Sequence, residues 1–388
     1  GDVIRTRDRD GCPGALRVHQ AADGALARIR LPGGAITAEQ LAVLAGAATE
    51  FGGATLEMTG RGNVQLRAIT DVDAVAQMIA AAGLLPSPRH ELVRNIVASP
   101  LSGRVGGLVD VRPWVRRLDT AIQADPELTA LPGRFLFSLD DGTGDVSGLA
   151  ADAGIQALGR GLVALLLAGR DTGVRLAADD AVETLVAIAR RFCAVRGNSW
   201  RVKELDDFAP LLDGYSPVAD NRLRPTPTIR PRVGWIPQDD GRVALGAAVP
   251  LGVLSARQAR FVAAVESPVL FTPWRSLLIC DLSEEVADTA LRVLPGLGLV
   301  FDDTSAWLDI SACVGSPGCA NSTADVRAEA ARAVQAVSNR AVQAGTVPAQ
   351  TGTAGQPVHF VGCERACGRP PAGQVLVATP DGYRPVVG

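Results

Sequence analysis

Four of the seven cysteines form two close pairs, Cys313 with Cys319 and Cys363 with Cys367, the second pair starting 44 residues after the first ends. Thiolates are soft ligands, so such a set binds either zinc or an iron–sulfur cluster. Zinc knuckles favour cysteines about two to four residues apart. The segment Val314-Gly315-Ser316-Pro317-Gly318 is longer, cannot be helical, and would wrap a bulky object. A four-iron cube is such an object and takes its ligands from wider, looser loops. The spacing predicts one 4Fe-4S cluster on Cys313, Cys319, Cys363 and Cys367. The Ala-rich stretch over residues 325–342 reads as an amphipathic helix. Its N-terminus would face the cluster and offset the negative charge of the sulfides.

A second run with binding chemistry is M-T-G-R-G-N-V-Q-L-R-A-I over residues 58–69. Read as one strand with period two, it places Arg61, Asn63, Gln65 and Arg67 on a single face spanning roughly 20 Å. Arginine forks grip carboxylates in a two-pronged way. The row suits a wide, flat ligand with several carboxylates, although on the strand alone an ordinary solvated face is the favoured reading.

Other reactive types are sparse. Cys12, Cys193 and Cys280 are scattered singly, and Cys280 closes an apolar run that reads as core. The chain is long and its cysteines are odd in number, so a disulfide framework is not expected. His19, His90 and His359 are too dispersed to assign to a two-His-one-carboxylate iron site, and His359 is notable only for preceding Cys363 by four residues. Lys203 is the only lysine, so chemistry that needs two lysines in one site is excluded. No G-x-G-x-x-G follows a strand, and Gly103, Gly106 and Gly107 do not make that pattern.

The elements that must position these residues are written twice. Asp23-Gly24 is matched by Asp240-Gly241, and Pro32-x-Gly34 by Pro250-x-Gly252. Thr37-Ala38-Glu39-Gln40 is matched by Ser255-Ala256-Arg257-Gln258, both capping boxes that open a helix. Helices open again near Asp71 and Ser283 and stop at Gly83 and Gly298. Val97-Ala98-Ser99-Pro100 is set against Val314-Gly315-Ser316-Pro317, an offset of 217. The expected divisions are a first half-domain over 1–85, an α/β domain over 86–216, a Pro- and Arg-rich linker over 217–231, a second half-domain over 232–300, and a cysteine-bearing domain over 301–388. With 388 residues, 47% hydrophobic and 20% charged, the chain can bury several cores. A net charge of −3 argues against nucleic acid or a membrane surface as partner. Residues 1–13 contain no apolar h-region and no run spans a bilayer, so the expected location is the cytoplasm.

Taken together, the cysteine spacing, Arg61-x-Asn63-x-Gln65, Arg94-Asn95 and the duplication resemble the sirohaem sulfite and nitrite reductases. The resemblance implies an internally duplicated α+β fold with two ferredoxin-like half-domains, two reductase-type α/β domains and pseudo-two-fold symmetry. It implies a tetrapyrrole contacted by Arg61, Asn63, Gln65, Arg67, Arg94, Arg134 and Arg275, and a Cys367 that bridges the cluster to sirohaem iron. One departure matters. Where those reductases use two lysines in a Pro-x-Lys-Phe-Lys type segment, this chain has Arg134 and Leu136 within Leu131-Pro132-Gly133-Arg134-Phe135-Leu136. Residues 59–66, Phe135-x-Phe137-x-x-Asp140-Asp141-Gly142 and Thr272-Pro273-Trp274-Arg275 look most like the precorrin-3B synthase branch. That resemblance implies oxygen-dependent hydroxylation and lactone formation on precorrin-3A in aerobic cobalamin synthesis, with a mononuclear non-haem iron and an external electron donor or reductase. A sirohaem sulfite or nitrite reductase is the alternative, and a non-catalytic iron–sulfur carrier or sensor a remote one.

Overall fold

The computed structural model describes residues 10–344 and 357–386, and the side chains of 340–344 are not described. Residues 1–9, read above as part of the first half-domain, and 345–356, between the cysteine pairs, lie outside them. The chain forms two compact units, one of residues up to 19, 28–35 and 83–228, the other of 20–27, 36–82 and from 229 onward.

The first half-domain runs β1 (His19–Ala21), β2 (Gly24–Ile29), β3 (Ala35–Ile36), α1 (Ala38–Phe51), β4 (Thr55–Met58), β5 (Val64–Ile69) and α2 (Val72–Ala81). A second module follows with β6 (Ile96–Ala98), α3 (Arg112–Ala124), β7 (Phe137–Asp140), β8 (Ala153–Gly159), β9 (Leu162–Leu167), β10 (Arg170–Ala177) and α4 (Ala181–Val195). Both are then repeated. The second half-domain is β11 (Gly234–Pro237), β12 (Val243–Ala248), β13 (Val253–Ser255), α5 (Ala256–Ala263), β14 (Val269–Phe271), β15 (Ser276–Leu282) and α6 (Glu284–Val293). The cysteine-bearing module is β16 (Ile310–Ala312), α7 (Val326–Ala344), β17 (Val358–Val361), β18 (Gln374–Thr379) and β19 (Gly382–Pro385).

Sheet topology shows the duplication directly. The half-domain sheets have the orders β1-β2-β5-β4-β13 and β11-β12-β15-β14-β3, so each copy lends its short third strand to the other's sheet. Sharing strands in this way, the half-domains are not separable bodies; most of the first and all of the second lie in one unit with the cysteine-bearing module. The remaining sheets, β10-β9-β8-β7-β6 and β16-β17-β18-β19, agree strand for strand apart from β10. In each, the first three strands in chain order pair in parallel, which needs a crossover, and α3 or α7 supplies the first.

Local chemistry explains the repeated helix starts. The Thr37 hydroxyl accepts from the Gln40 amide at 3.1 Å, and the Gln40 side chain accepts from the Thr37 amide at 3.1 Å. Ser255 and Gln258 repeat the arrangement at 3.1 and 2.8 Å. Leu41, Leu44, Ala45 and Ala48 then recur at helical spacing and are buried. Asp71 and Ser283 cap α2 and α6 as their sequence positions predict.

Two expectations are corrected. Residues 58–69 are not one strand, because residues 59–63 turn the chain between β4 and β5. The Thr59 hydroxyl accepts from the Arg61 and Asn63 amides at 3.3 and 3.1 Å, and Gly62 takes φ +69, a conformation natural to glycine. Arg61 and Asn63 thus sit in the hairpin turn, while Gln65 and Arg67 share a face of β5. The repeat register also shifts in the second module. Ala98 pairs with Leu139 and Ala312 with Phe360, so Ser99 corresponds to Cys313 and the offset there is 214 rather than 217. The second copy has lost residues, its α5 being 8 residues long against 14 for α1. Residues 217–231 form no helix or strand, and part of this extended chain is anchored: the Leu223 amide donates to Asp171 at 2.7 Å, and those of Val218 and Ala219 to the Gly173 carbonyl.

Because each capping box satisfies two amides at a helix start, Thr37→Ala and Ser255→Ala should each lower stability by about 1 kcal/mol. Urea unfolding midpoints measure this, and an unchanged midpoint in both variants would contradict the capping role.

Candidate metal centre

Two adjacent parallel strands deliver the cysteines. Cys313 directly follows β16, and Cys363 comes two residues after β17, so both lie at the carboxyl ends of paired strands. Cys319 belongs to the loop that leads to α7, and Cys367 to the loop between β17 and β18. None is in a disulfide; Cys313, Cys319 and Cys363 are half-buried and Cys367 is exposed. The Gly362 amide donates to Cys313 Sγ at 3.4 Å. Desolvation, with the charges of Cys313, Cys363 and Cys319, pushes the Cys367 thiol up, so the other three thiols lie within electrostatic reach of Cys367.

The donor set fits a cube better than a single ion. Tetrahedral zinc at about 2.3 Å from each sulfur brings its sulfurs within about 4 Å of one another. Among the described residues the only group of three or more His, Cys, Asp or Glu donors within 4.8 Å is Asp140, Asp141 and Asp145. No three of the thiols lie that close to one another, which a four-iron cube allows and tetrahedral zinc does not. At the start of α7 the Asp325 carboxylate accepts from the Ala328 amide at 3.0 Å. That amide is occupied by the chain's own anion.

Arginines supply the positive charge. Arg275 takes φ +54 at the position where the first copy has Gly62, a strained conformation for a residue with a side chain. Its guanidinium donates to the Gly368 carbonyl at 2.7 Å, beside Cys367. Burial and the charge of Arg327 depress its pKa, which Glu57 and Cys313 partly offset. Arg327 in turn pairs with Glu57 at 2.7 Å. Arg67 grips Asp23 with two bonds of 2.9 and 2.8 Å and donates to the Gly318 carbonyl at 2.7 Å, beside Cys319. Two members of the expected tetrapyrrole set therefore hold the cysteine loops. His359 is fully buried, with Nδ1 at 2.9 Å from Ser311 Oγ and Nε2 at 3.0 Å from the Cys367 carbonyl. Burial, then the charge of Arg275, lowers its pKa to about 4.

Residues 19–82 match the family described as nitrite/sulfite reductase ferredoxin-like half domain. The solved structure of the Mycobacterium tuberculosis NirA protein superimposes with a TM-score of 0.77 at 23% identity, over 93% of this chain and 73% of its own. This chain has the nitrite and sulfite reductase fold. A precorrin-3B synthase from Sinorhizobium sp is 26% identical over 401 residues, covering 99% of this chain and 84% of that one. Sulfite reductase (ferredoxin) 1 of Mycolicibacterium paratuberculosis is 26% identical over 380 residues, covering 88% and 67%.

Two other expected contacts, Arg94 and Arg134, lie in the first unit. Arg94 spends its fork on Asp119 at 2.6 and 2.8 Å. Arg134 is exposed, its guanidinium 5.1 Å from the centre of the Trp200 ring, while Leu136 is buried. His90 is buried between Ser87 and the Asp125 carbonyl, and His19 is exposed on β1. Among the described residues no two histidines and a carboxylate converge, so the two-His-one-carboxylate iron site is not formed. The sequence reading also passed over Arg17, Arg89 and Arg196, which line a cavity of about 340 Å³ in this unit. Nothing in their spacing marks them, because they come from three separate segments.

Arg67→Ala should lower stability by about 1.5–3 kcal/mol and reduce the iron and labile sulfide retained through gel filtration. Arg94→Ala, which touches no cysteine loop, should retain both. Equal iron content in wild type and Arg67→Ala would remove the anchoring role.

Proposed function

We propose that the protein is an oxygen-dependent oxidoreductase that converts precorrin-3A to precorrin-3B in the cytoplasm, as a step of aerobic cobalamin biosynthesis. The observation that carries this is the similarity to a precorrin-3B synthase along 99% of the chain. The site supports it. In place of paired lysines, which would offset the desolvation of a small anion, the matching segment offers one exposed arginine stacked on Trp200 and one buried leucine.

One oxygen atom enters a meso carbon and the substrate's acetate closes a lactone; the other oxygen leaves as water, with two electrons and two protons from an external donor. A cluster on Cys313, Cys319, Cys363 and Cys367 would pass single electrons. This chain's own residues carry the rest. Arg67 and Arg275 keep the cysteine loops in place, and Arg275 with Arg327 offsets thiolate charge. Arg61, Asn63, Gln65 and Arg134 are proposed to bind and orient the carboxylates of the tetrapyrrole. Arg94 keeps that role only by giving up Asp119, and Arg67 only by giving up Asp23. No step is assigned to a mononuclear iron, for which the histidines present are unsuited.

Similarity to the mycobacterial sulfite reductase favours a second reading, sirohaem-dependent reduction of sulfite or nitrite. Supplied with precorrin-3A, reductant and labelled oxygen gas, the purified protein should yield a product one oxygen atom heavier, with the label from the gas by mass spectrometry. Label from water, or six-electron reduction of sulfite by protein carrying stoichiometric sirohaem, would establish the reductase instead. Cys→Ser at Cys313, Cys319, Cys363 or Cys367 should abolish the iron–sulfur absorbance, whereas Cys12, Cys193 and Cys280 should be dispensable. A full cluster surviving any of the four changes would refute the ligand assignment.

A further inference from the structure

The two α/β modules use the same backbone positions for different donors. In one, the amide of Gly362 donates to Cys313 Sγ; in the other, the amide of Asp141 donates to Ser99 Oγ at 3.1 Å. Around Ser99 the loop after β7 gathers Asp140, Asp141 and Asp145, with one oxygen of each within 4.8 Å of the others.

The three carboxylates are not equivalent. Asp140 is fully buried and saturated, accepting from the amides of Gly142, Gly144, Val146 and Ser147 and from the Ser147 hydroxyl at 2.9–3.1 Å. It shapes the loop. Asp141 is only 1% exposed; its Oδ1 accepts from the Thr143 amide and hydroxyl at 3.1 and 2.7 Å, while its Oδ2 has no partner. Asp145 is half-buried and accepts from Ser99 Oγ at 2.6 Å. Burial, with the charges of Asp140 and Asp141, pushes its carboxyl up to about 6. No arginine or lysine is paired with any of the three among the described residues.

A buried carboxylate oxygen with no donor and two acidic neighbours is an uncompensated cost that a cation removes. Gly107, exposed and at φ +78, packs against it: a Cβ there would lie 2.5 Å from Asp141 Oδ2, so any other residue would cover this oxygen. Only oxygen donors are present, which selects a hard cation. With Asp140 saturated, two carboxylates remain, which suit an ion that keeps several waters, as magnesium does, better than calcium with its six to eight ligands.

We propose that Asp141 and Asp145, positioned by the Asp140 loop and Ser99, bind one hard divalent cation of the Mg²⁺, Mn²⁺ or Fe²⁺ class. The site stands apart from the reaction proposed above and does not depend on it. The test titrates purified cluster-containing protein with Mn²⁺ under nitrogen, following free Mn²⁺ by electron paramagnetic resonance. One Mn²⁺ should bind per chain, be displaced by Mg²⁺ or Fe²⁺, and raise the unfolding temperature. Affinity should fall by about tenfold or more in Asp141→Asn and in Asp145→Asn, and remain unchanged in Asp110→Asn. Should Asp141→Asn fail to fold, Asp145→Asn at the half-buried edge decides. The absence of saturable Mn²⁺ binding, or wild-type affinity in Asp145→Asn, would overturn the proposal.

Discussion

Thiolates held close together repel one another, and burial makes each more costly to ionise. The upward push on Cys367 from burial and from the three other cysteines is that repulsion expressed at one sulfur. Much of the second unit is arranged around meeting it. Parallel pairing of β16 and β17 brings Cys313 and Cys363 to neighbouring strand ends, and the Gly362 amide supplies a donor to Cys313. Arg275 and Arg327 bring positive charge, and Arg275 accepts a left-handed backbone to do so. Arg67 and Arg275 also fix the carbonyls beside Cys319 and Cys367, which limits how far the loops can relax apart.

Duplication makes this arrangement possible and then lets its halves diverge. A strand–helix–strand–strand–strand module places one residue after its first strand and a loop after its second at the same depth in both copies. With Cys313 and the Cys363–Cys367 loop, the position collects soft donors. With Ser99 and the Asp140–Asp145 loop, it collects hard ones. The half-domain copies differ in a similar way, since the hairpin turn that Gly62 makes without strain is made by Arg275 in the second copy, at a point where its side chain can reach Gly368.

Features that depend on local chemistry were legible in the chain. The cysteine pairs, both capping boxes and the Asp71 and Ser283 helix starts all follow from residues close in sequence, and the exclusion of a lysine pair from composition alone. The hairpin at residues 59–63 shows where that reading weakens. Alternation of polar and apolar residues matched a strand, yet the Thr59 hydroxyl and Gly62 make the turn more favourable than extension. The offset of 217 likewise followed a Ser-Pro match, while strand pairing sets Ser99 against Cys313.

By itself the sequence determined which donors exist, how they are grouped along the chain, and that the scaffold is built twice. Only the tertiary structure decided what each donor meets. Arg67 reads as a ligand-binding arginine until Asp23 and a carbonyl 251 residues away claim its fork. Arg94 does so until Asp119 claims it, and nothing along residues 140–145 shows that burial leaves one carboxylate oxygen without a partner. The physical reason is that capping and turn formation are set by neighbours along the chain, whereas partnership and desolvation are set by residues that only folding brings together.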